Sequence, residues 1–186
     1  ERAVVLPLGA DVAAAQDRHP SVRPRVLFSG NMSYGPNIAA VLWFHGLCWP
    51  KIRAEVPDAE LRIVGVYPVA SIARLHNGRD VTVTGFVPDV STEMAQAWVA
   101  VAPLRQGSGM QFKIVEAMAC GVPVVATSLA ASALTARGDG DMVVRDSPDA
   151  FWRACVRLLA DADERARVGE AGRALVAREY TWERHV

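Results

Sequence analysis

Apolar residues along this chain fall into short continuous runs, separated by stretches that follow a helical period. Of the runs at 26–29, 61–64, 81–84, Val99–Ala102, 122–126 and 142–144, most are continuously apolar rather than alternating. That pattern belongs to strands covered on both faces, as in a parallel sheet. Helical patterns lie between them, at about 37–55, 69–76, 90–98, 110–119, 128–136, 149–159 and 162–178. Strand and helix in alternation build βαβ units with right-handed crossovers. The predicted fold is therefore α/β: an open, doubly wound, mostly parallel sheet with helices on both faces and ligands at the carboxyl ends of its strands.

The punctuation agrees with this reading. Gly30, Gly65, Gly85 and Pro103 stand where strands must turn, and Pro36 and Pro148 stand at helix starts, where a missing N–H costs nothing. Pro50 falls inside the first long helix and is expected to kink or split it. Trp43, Phe44 and Leu47 follow helical spacing and are expected in the core, with Trp98 and Trp152 packed on the sheet. His45 and His76 read as helix-surface or partly buried residues. Residues 10–24 read as a poorly structured connection, and both ends look like elements entered or left midway.

Composition narrows the class. The chain has 186 residues, about half of them apolar, which suffices for one full core. Formal net charge is zero, with acids and bases interspersed, so no basic stripe argues for nucleic acid or a membrane surface. No apolar run reaches the roughly 18 residues that span a bilayer. The opening Glu1-Arg2 does not read as a secretory leader. Cys48, Cys120 and Cys155 are odd in number and set in apolar surroundings, and they are expected to be reduced core residues of a cytoplasmic protein.

The stretch richest in chemistry runs from Ala102 to Pro123. A strand enters a Gly107-Ser108-Gly109 turn, the turn opens a helix at Met110-Gln111, and the helix closes on Gly121. Free N–H groups at such a helix start favour an anion. The helix is apolar except for Gln111, Lys113 and Glu116, so burial is expected. Lys113 and Glu116 share a face, and two readings are open: a local ion pair, or a lysine for phosphate and a buried carboxylate for a ribose diol. The turn departs from the dinucleotide fingerprint at Phe112, which stands where the third glycine belongs, and the Gly-Lys-Ser/Thr of a phosphate loop is absent.

The segment Glu116-Ala117-Met118-Ala119-Cys120-Gly121-Val122-Pro123-Val124-Val125-Ala126-Thr127 resembles the signature of family 4 glycosyltransferases, which have the GT-B fold. The resemblance extends over almost the whole chain. Leu6-Pro7-Leu8-Gly9-Ala10-Asp11 is similar to the family's segment at the domain junction, and Phe28-Ser29-Gly30-Asn31-Met32 to its first glycine turn. Thr84-Gly85-Phe86-Val87-Pro88 resembles the turn that lies against the nucleobase, and Tyr180-Thr181-Trp182 the family's closing motif. The pattern looks most like sugar transferases associated with bacterial exopolysaccharide and PEP-CTERM gene clusters.

The resemblance implies a Rossmann-like half of a GT-B enzyme that moves a sugar from a nucleoside-diphosphate sugar to an acceptor hydroxyl with retention. Residues 1–24 would be an interdomain strand and linker remnant, 25–179 the nucleotide-sugar-binding domain, and 180–186 the start of a truncated helix capped by Thr181. Glu116 would hold the ribose. Its partner acid in the family motif would fall at Ser108 and is missing. The family's basic pair after the first glycine turn is missing too, leaving Lys113, with Arg105, as the source of positive charge. Catalytic roles fall to Lys113 and Glu116. Donor contacts fall to Gly30, Asn31, Phe86, Val87, Arg105, Gly107, Ser108, Gly109, Met110 and Gln111. The implied partners are the donor, a missing N-terminal acceptor-binding domain and a lipid-linked or growing saccharide, which would bring the whole enzyme to the inner face of the membrane. No metal or cofactor is expected. A UDP-sugar 2-epimerase-like enzyme and a non-catalytic nucleotide-sugar-binding module are the rival readings on the same fold.

Overall fold

A computed structural model describes residues 18–107, 109–136 and 139–180. The first strand, β1 (Arg25–Ser29), is followed by α1 (Gly35–Leu47), α2 (Trp49–Glu55), β2 (Glu60–Val64), α3 (Ala70–Ala73) and β3 (Val81–Gly85). Then come α4 (Val90–Ala95), β4 (Val99–Ala102), α5 (Phe112–Ala119), β5 (Val124–Ala126), α6 (Ser128–Ala131), β6 (Val143–Val144), α7 (Pro148–Ala160) and α8 (Ala162–Glu179). The six strands pair in the order β3-β2-β1-β4-β5-β6, and every pairing is parallel. The α/β doubly wound expectation is met. All residues of β4 and β5 are buried, as the continuous apolar runs require of strands with helices on both faces.

Strand order places the helices. Right-handed crossovers that carry the chain from β1 out to β3 put α1, α2 and α3 on one face. The crossovers through β4, β5 and β6 run the other way and put α4, α5 and α6 on the opposite face. The last two helices cover what remains: α7 packs against α2 and α8 against α5. The rings of Trp43 and Phe44 on α1 meet Phe151 on α7 edge to face, at 5.6 and 5.9 Å between centroids. Leu47, expected in the core, is instead 48% exposed, because α1 ends there.

The differences from the sequence pattern have local causes. The first helical stretch is split at Cys48, two residues before Pro50, which has no N–H to give and crowds the carbonyl one turn back. The helix expected over 69–76 stops at Ala73, and a few residues on the Asn77 side-chain oxygen accepts from the N–H groups of Arg79, Asp80 and Val81, a turn of its own. Strand β5 starts after Pro123, and α5 begins at Phe112, later than Met110. The connection before β1 is partly tied down: Arg18 donates to the carbonyls of Gly121 and Ala97, both at 2.9 Å. Residues 1–17 and 181–186, which carry the junction segment and the Thr181 cap, lie outside the described residues. All three cysteines are buried, as expected, and none is in a disulfide among the described residues. Among the described residues no helix is long and apolar enough to cross a membrane.

At the carboxyl edge the ladder continues past the strands. Gly30 N–H donates to Val64 O at 3.0 Å, Met32 N–H to Val66 O at 2.9 Å, and Gly65 N–H to Gly85 O at 3.2 Å. The backbones of Gly30 and Gly65 approach so closely that a β carbon on Gly65, which has φ +147°, would sit 1.7 Å from the Gly30 oxygen. Gly65→Ala is therefore expected to destabilise the protein by about 3 kcal/mol, the upper end for overpacking. Gly46→Ala, exposed in α1 with nothing within 4 Å of the new methyl group, is expected to stabilise by about 0.5 kcal/mol. Urea unfolding of both variants checks the pair, and a neutral Gly65→Ala would mean that the two loops are not held together as described.

Candidate functional site

The strand order reverses direction between β1 and β4, and beside that point the carboxyl ends of the strands border a cavity of about 440 Å³. Crevices of this kind are where open α/β sheets take ligands. Ser29 and Gly30 at the end of β1 form part of its floor with Val64, Gly65 and Val66 at the end of β2. The starts of three helices form the walls: Tyr34 and Asn37 from α1, Val90 from α4, and Met110 to Lys113 with Glu116 from α5.

The N-terminus of α5 opens into this cavity without a cap. Gln111 occupies the cap position with extended backbone, but its side chain makes no capping bond; its amide donates instead to Gly109 O at 3.2 Å. The first N–H groups of the helix therefore have no intrahelical acceptor and carry the positive end of the dipole. The chain delivers the helix here because β4 runs into a glycine turn, with Gly107 at φ +104° and Gly109 at φ +85°. These are left-handed values that glycine alone adopts freely.

Lys113 lies in the first turn of α5. Its ammonium donates to Asn37 Oδ1 at 2.6 Å and stands 4.5 Å from the centre of the Phe28 ring. Asn37 is 6% exposed and its Nδ2 donates to Asn31 O at 2.9 Å. Burial lowers Lys113 to about 8, against a smaller upward pull from Glu116. Among the described residues Lys113 has no ion-pair partner within 4.0 Å, so the local ion pair with Glu116 is not formed.

Glu116 departs from its expected burial. It is exposed, one turn further along α5, at the wall of the cavity. The surrounding protein still raises its carboxyl above the usual range, with Lys113 pulling it back; solvent reaching it through the cleft tempers that upward push. The carboxylate accepts no hydrogen bond among the described residues. Ser29 is 4% exposed, and its hydroxyl has no hydrogen-bond partner either. An anion-favouring helix start, a cation, a carboxylate and an unpaired hydroxyl thus share one cleft. The cavity lining contains no histidine, and among the described residues no group of acids, histidines and cysteines is placed to hold a metal.

Of the residues singled out from sequence, Gly30, Met110, Gln111, Lys113 and Glu116 line the cavity. Gly107 lies beside it, facing Pro36 and the Tyr34 hydroxyl. Gly109 contributes its carbonyl to Gln111. Asn31 is not in the lining: its side chain closes a local turn with Ser33, and only its carbonyl touches the site, through Asn37. Arg105 is exposed and stacks on Trp43 at 5.5 Å, away from the lining. Phe86 is 74% exposed on the turn after β3, and Val87 packs on the core. Ser108 lies outside the described residues. Sequence reasoning missed Ser29, Tyr34, Asn37 and the end of β2. A polar residue in the first turn of an apolar helix was the available signal for Asn37.

The sequence profile described as Glycosyl transferases group 1 matches residues 23–161. The phosphatidyl-myo-inositol mannosyltransferase of Mycobacterium tuberculosis is 33% identical over 196 residues, covering 97% of this chain and 50% of that protein. The GDP-mannose-dependent monoacylated alpha-(1-6)-phosphatidylinositol monomannoside mannosyltransferase of Corynebacterium glutamicum is 34% identical over 146 residues, covering 72% of this chain and 38% of that one. The chain thus spans half or less of the length of these relatives. Among solved structures, the C-terminal domain of the glycosyl transferase group 1 family protein LpcC from Francisella tularensis superposes with a TM-score of 0.76 at 16% identity, covering 94% of this chain and 100% of that domain. Sucrose-phosphate synthase from Thermosynechococcus elongatus gives 0.76 at 22% identity, covering 96% and 49%.

The buried lysine gives the site a pH signature. An unfolded lysine titrates near about 10.4, above the value near 8 in the folded chain. Between these limits the unfolded chain binds more protons at this position, so the lysine's contribution to stability rises with pH. The stability of the wild type relative to Lys113→Met is expected to increase from about pH 7.5 to about pH 10, whatever the constant cost of the lost Asn37 bond. Chemical denaturation at the two pH values measures it, and a difference that stays flat would place the lysine in water.

Proposed function

The chain belongs to the glycosyl transferases group 1 family, and we propose that it is the donor-binding half of such an enzyme, acting with an acceptor-binding domain beyond this chain. One observation carries the reading: the uncapped start of α5, the Lys113 ammonium and the Glu116 carboxylate meet in one cleft at the switch point of the sheet. In this reading the diphosphate of a nucleotide sugar lies over the α5 N-terminus, beside Met110 and Gln111, with Lys113 as its counter-ion. The two ribose hydroxyls donate to Glu116, and the base runs toward the turn that carries Phe86 and Val87.

The chemistry asked of this half is charge stabilisation. As the glycosidic bond to the donor breaks, negative charge grows on the diphosphate. Helix N–H groups and an ammonium already in place stabilise it without reorganising. No metal is needed in this scheme. The sugar passes to an acceptor hydroxyl with retention, and the acceptor and any base near it belong to the other domain. The Mycobacterium tuberculosis and Corynebacterium glutamicum relatives are mannosyltransferases of phosphatidylinositol and its monomannoside, which favours the lipid-linked of the two expected acceptors over a growing saccharide. Relatives named as GDP-mannose-dependent make GDP the first nucleotide to try. The chain alone is expected to bind the nucleotide and not to turn it over. A 2-epimerase reading is disfavoured, because Tyr34, Lys113 and Glu116 are the ionisable residues in the lining.

Calorimetric titration with GDP and UDP tests the assignment. Glu116→Gln keeps size and removes charge. Losing a charge-assisted bond is worth about 1.5–3 kcal/mol, so affinity is expected to fall by about ten- to a hundredfold. A 2′,3′-dideoxy nucleotide, which lacks the partner hydroxyls, is expected to bind wild type and variant alike. Saturating GDP and UDP that both leave the Gly109 and Met110 amide resonances unmoved would remove the proposal.

A further inference from the structure

We propose that Asn37 is a positioning residue of this site, whose side-chain oxygen holds the Lys113 ammonium at the cavity wall as an unneutralised cation for the donor diphosphate to take up. The inference rests on the reading of the cavity as the donor site and deepens it, because it says how a chain without the family's basic pair keeps a usable positive charge there.

Two neutral groups hold the ammonium and a third makes space for it. Asn37 Oδ1 accepts from it at 2.6 Å, the Phe28 ring faces it at 4.5 Å, and Gly30 leaves it room. A β carbon on Gly30 would stand 3.2 Å from Lys113 Nζ and 2.7 Å from Asn37 Nδ2, so a side chain there would press on both members of the pair. The amide cannot turn over. Its Nδ2 is spent on Asn31 O at 2.9 Å, and a flipped amide would set its own donor against the ammonium. The oxygen is thereby fixed toward Lys113. An ammonium has three donors and Asn37 takes one; the other two have no partner among the described residues. A carboxylate in place of the amide would hold the lysine at least as firmly but would cancel its charge and repel phosphate. An amide holds it and leaves the charge. The ionisable groups that face this ammonium are Glu116 on α5 and Tyr34 beside α1; β1, β2 and α4 present none to the cavity.

The test is a double-substitution cycle on this chain, read by calorimetry with GDP or UDP, whichever binds, and with the matching nucleoside. Lys113→Met is expected to weaken the diphosphate at least about tenfold, the loss of one charge-assisted bond. Asn37→Ala is expected to weaken the diphosphate about three- to tenfold and the nucleoside less than about twofold, and to add almost nothing in the Lys113→Met background. In wild type, diphosphate affinity is expected to decline as pH rises through about 8, where the free lysine loses its proton. Asn37→Asp is expected to bind more weakly throughout and to shift that decline to higher pH, because a carboxylate favours the ammonium. Asn37→Ser serves in the cycle if the alanine variant does not fold. The inference is overturned if Asn37→Ala binds diphosphate like wild type, if it weakens nucleoside and diphosphate equally, or if its effect persists without Lys113. If wild type binds no diphosphate, or Lys113→Met binds it unchanged, the donor-site reading itself fails and takes this one with it.

Discussion

The carboxyl edge of the sheet depends on one close approach, the backbone of Gly65 against the carbonyl of Gly30. It is possible only without side chains, and it pins together the loops that follow β1 and β2. Its consequences run in series. Gly30, held there, leaves space that Asn37 fills from the start of α1; Asn37 in turn meets Lys113, which reaches across from α5. Elements far apart in sequence are thereby brought to one point by contacts of a few ångströms. A methyl group at Gly65 would disturb the whole series rather than one loop.

The site concentrates features that a structure selected for stability alone would avoid. A lysine in the first turn of a helix faces the positive end of the dipole, at a cost of about 0.3–1 kcal/mol. Burial adds to that cost, as the lowered lysine pKa records. Among the described residues a buried hydroxyl at Ser29 has no partner, and the helix start has no side-chain cap. Unfavourable local features gathered in one cleft are the usual mark of a place built for a ligand. An anion seated there would offset several of them together, satisfying N–H groups and ammonium in one step.

Family membership and site geometry bear on different questions. The sequence profile assigns the chain to the glycosyl transferases group 1 family, and the match to an isolated C-terminal domain of that group agrees in fold over nearly all of the chain. Neither assigns a role to a residue. Two features set this chain apart within its resemblance: no base follows the first glycine turn, and a serine stands where the first motif acid belongs. In the proposed reading Lys113, reaching from α5 to Asn37 on α1, supplies the charge that the first leaves out.

The secondary structure was largely legible in the sequence, because most of these parallel strands, covered on both faces, are apolar at successive positions, with β3 the alternating exception. The six strands fell where the apolar runs put them, and Pro50 marked the break between α1 and α2. Helix ends were less legible, since a side chain such as that of Asn77 can close a turn inside a helical pattern. Lys113 and Glu116 stood out because charges in an otherwise apolar helix need a reason. Whether they paired with each other was a question of side-chain reach that a projection onto a helix could not decide, and in the fold they do not. Strand order was likewise beyond the sequence, because every apolar run is an equally good neighbour to every other. Only the tertiary structure put β1 beside β4, opened the crevice there, laid Asn37 against Lys113 across 76 positions of chain, and left Arg105 on Trp43 outside the site. Local pattern records what each segment must bury; which segments meet depends on packing over the whole molecule.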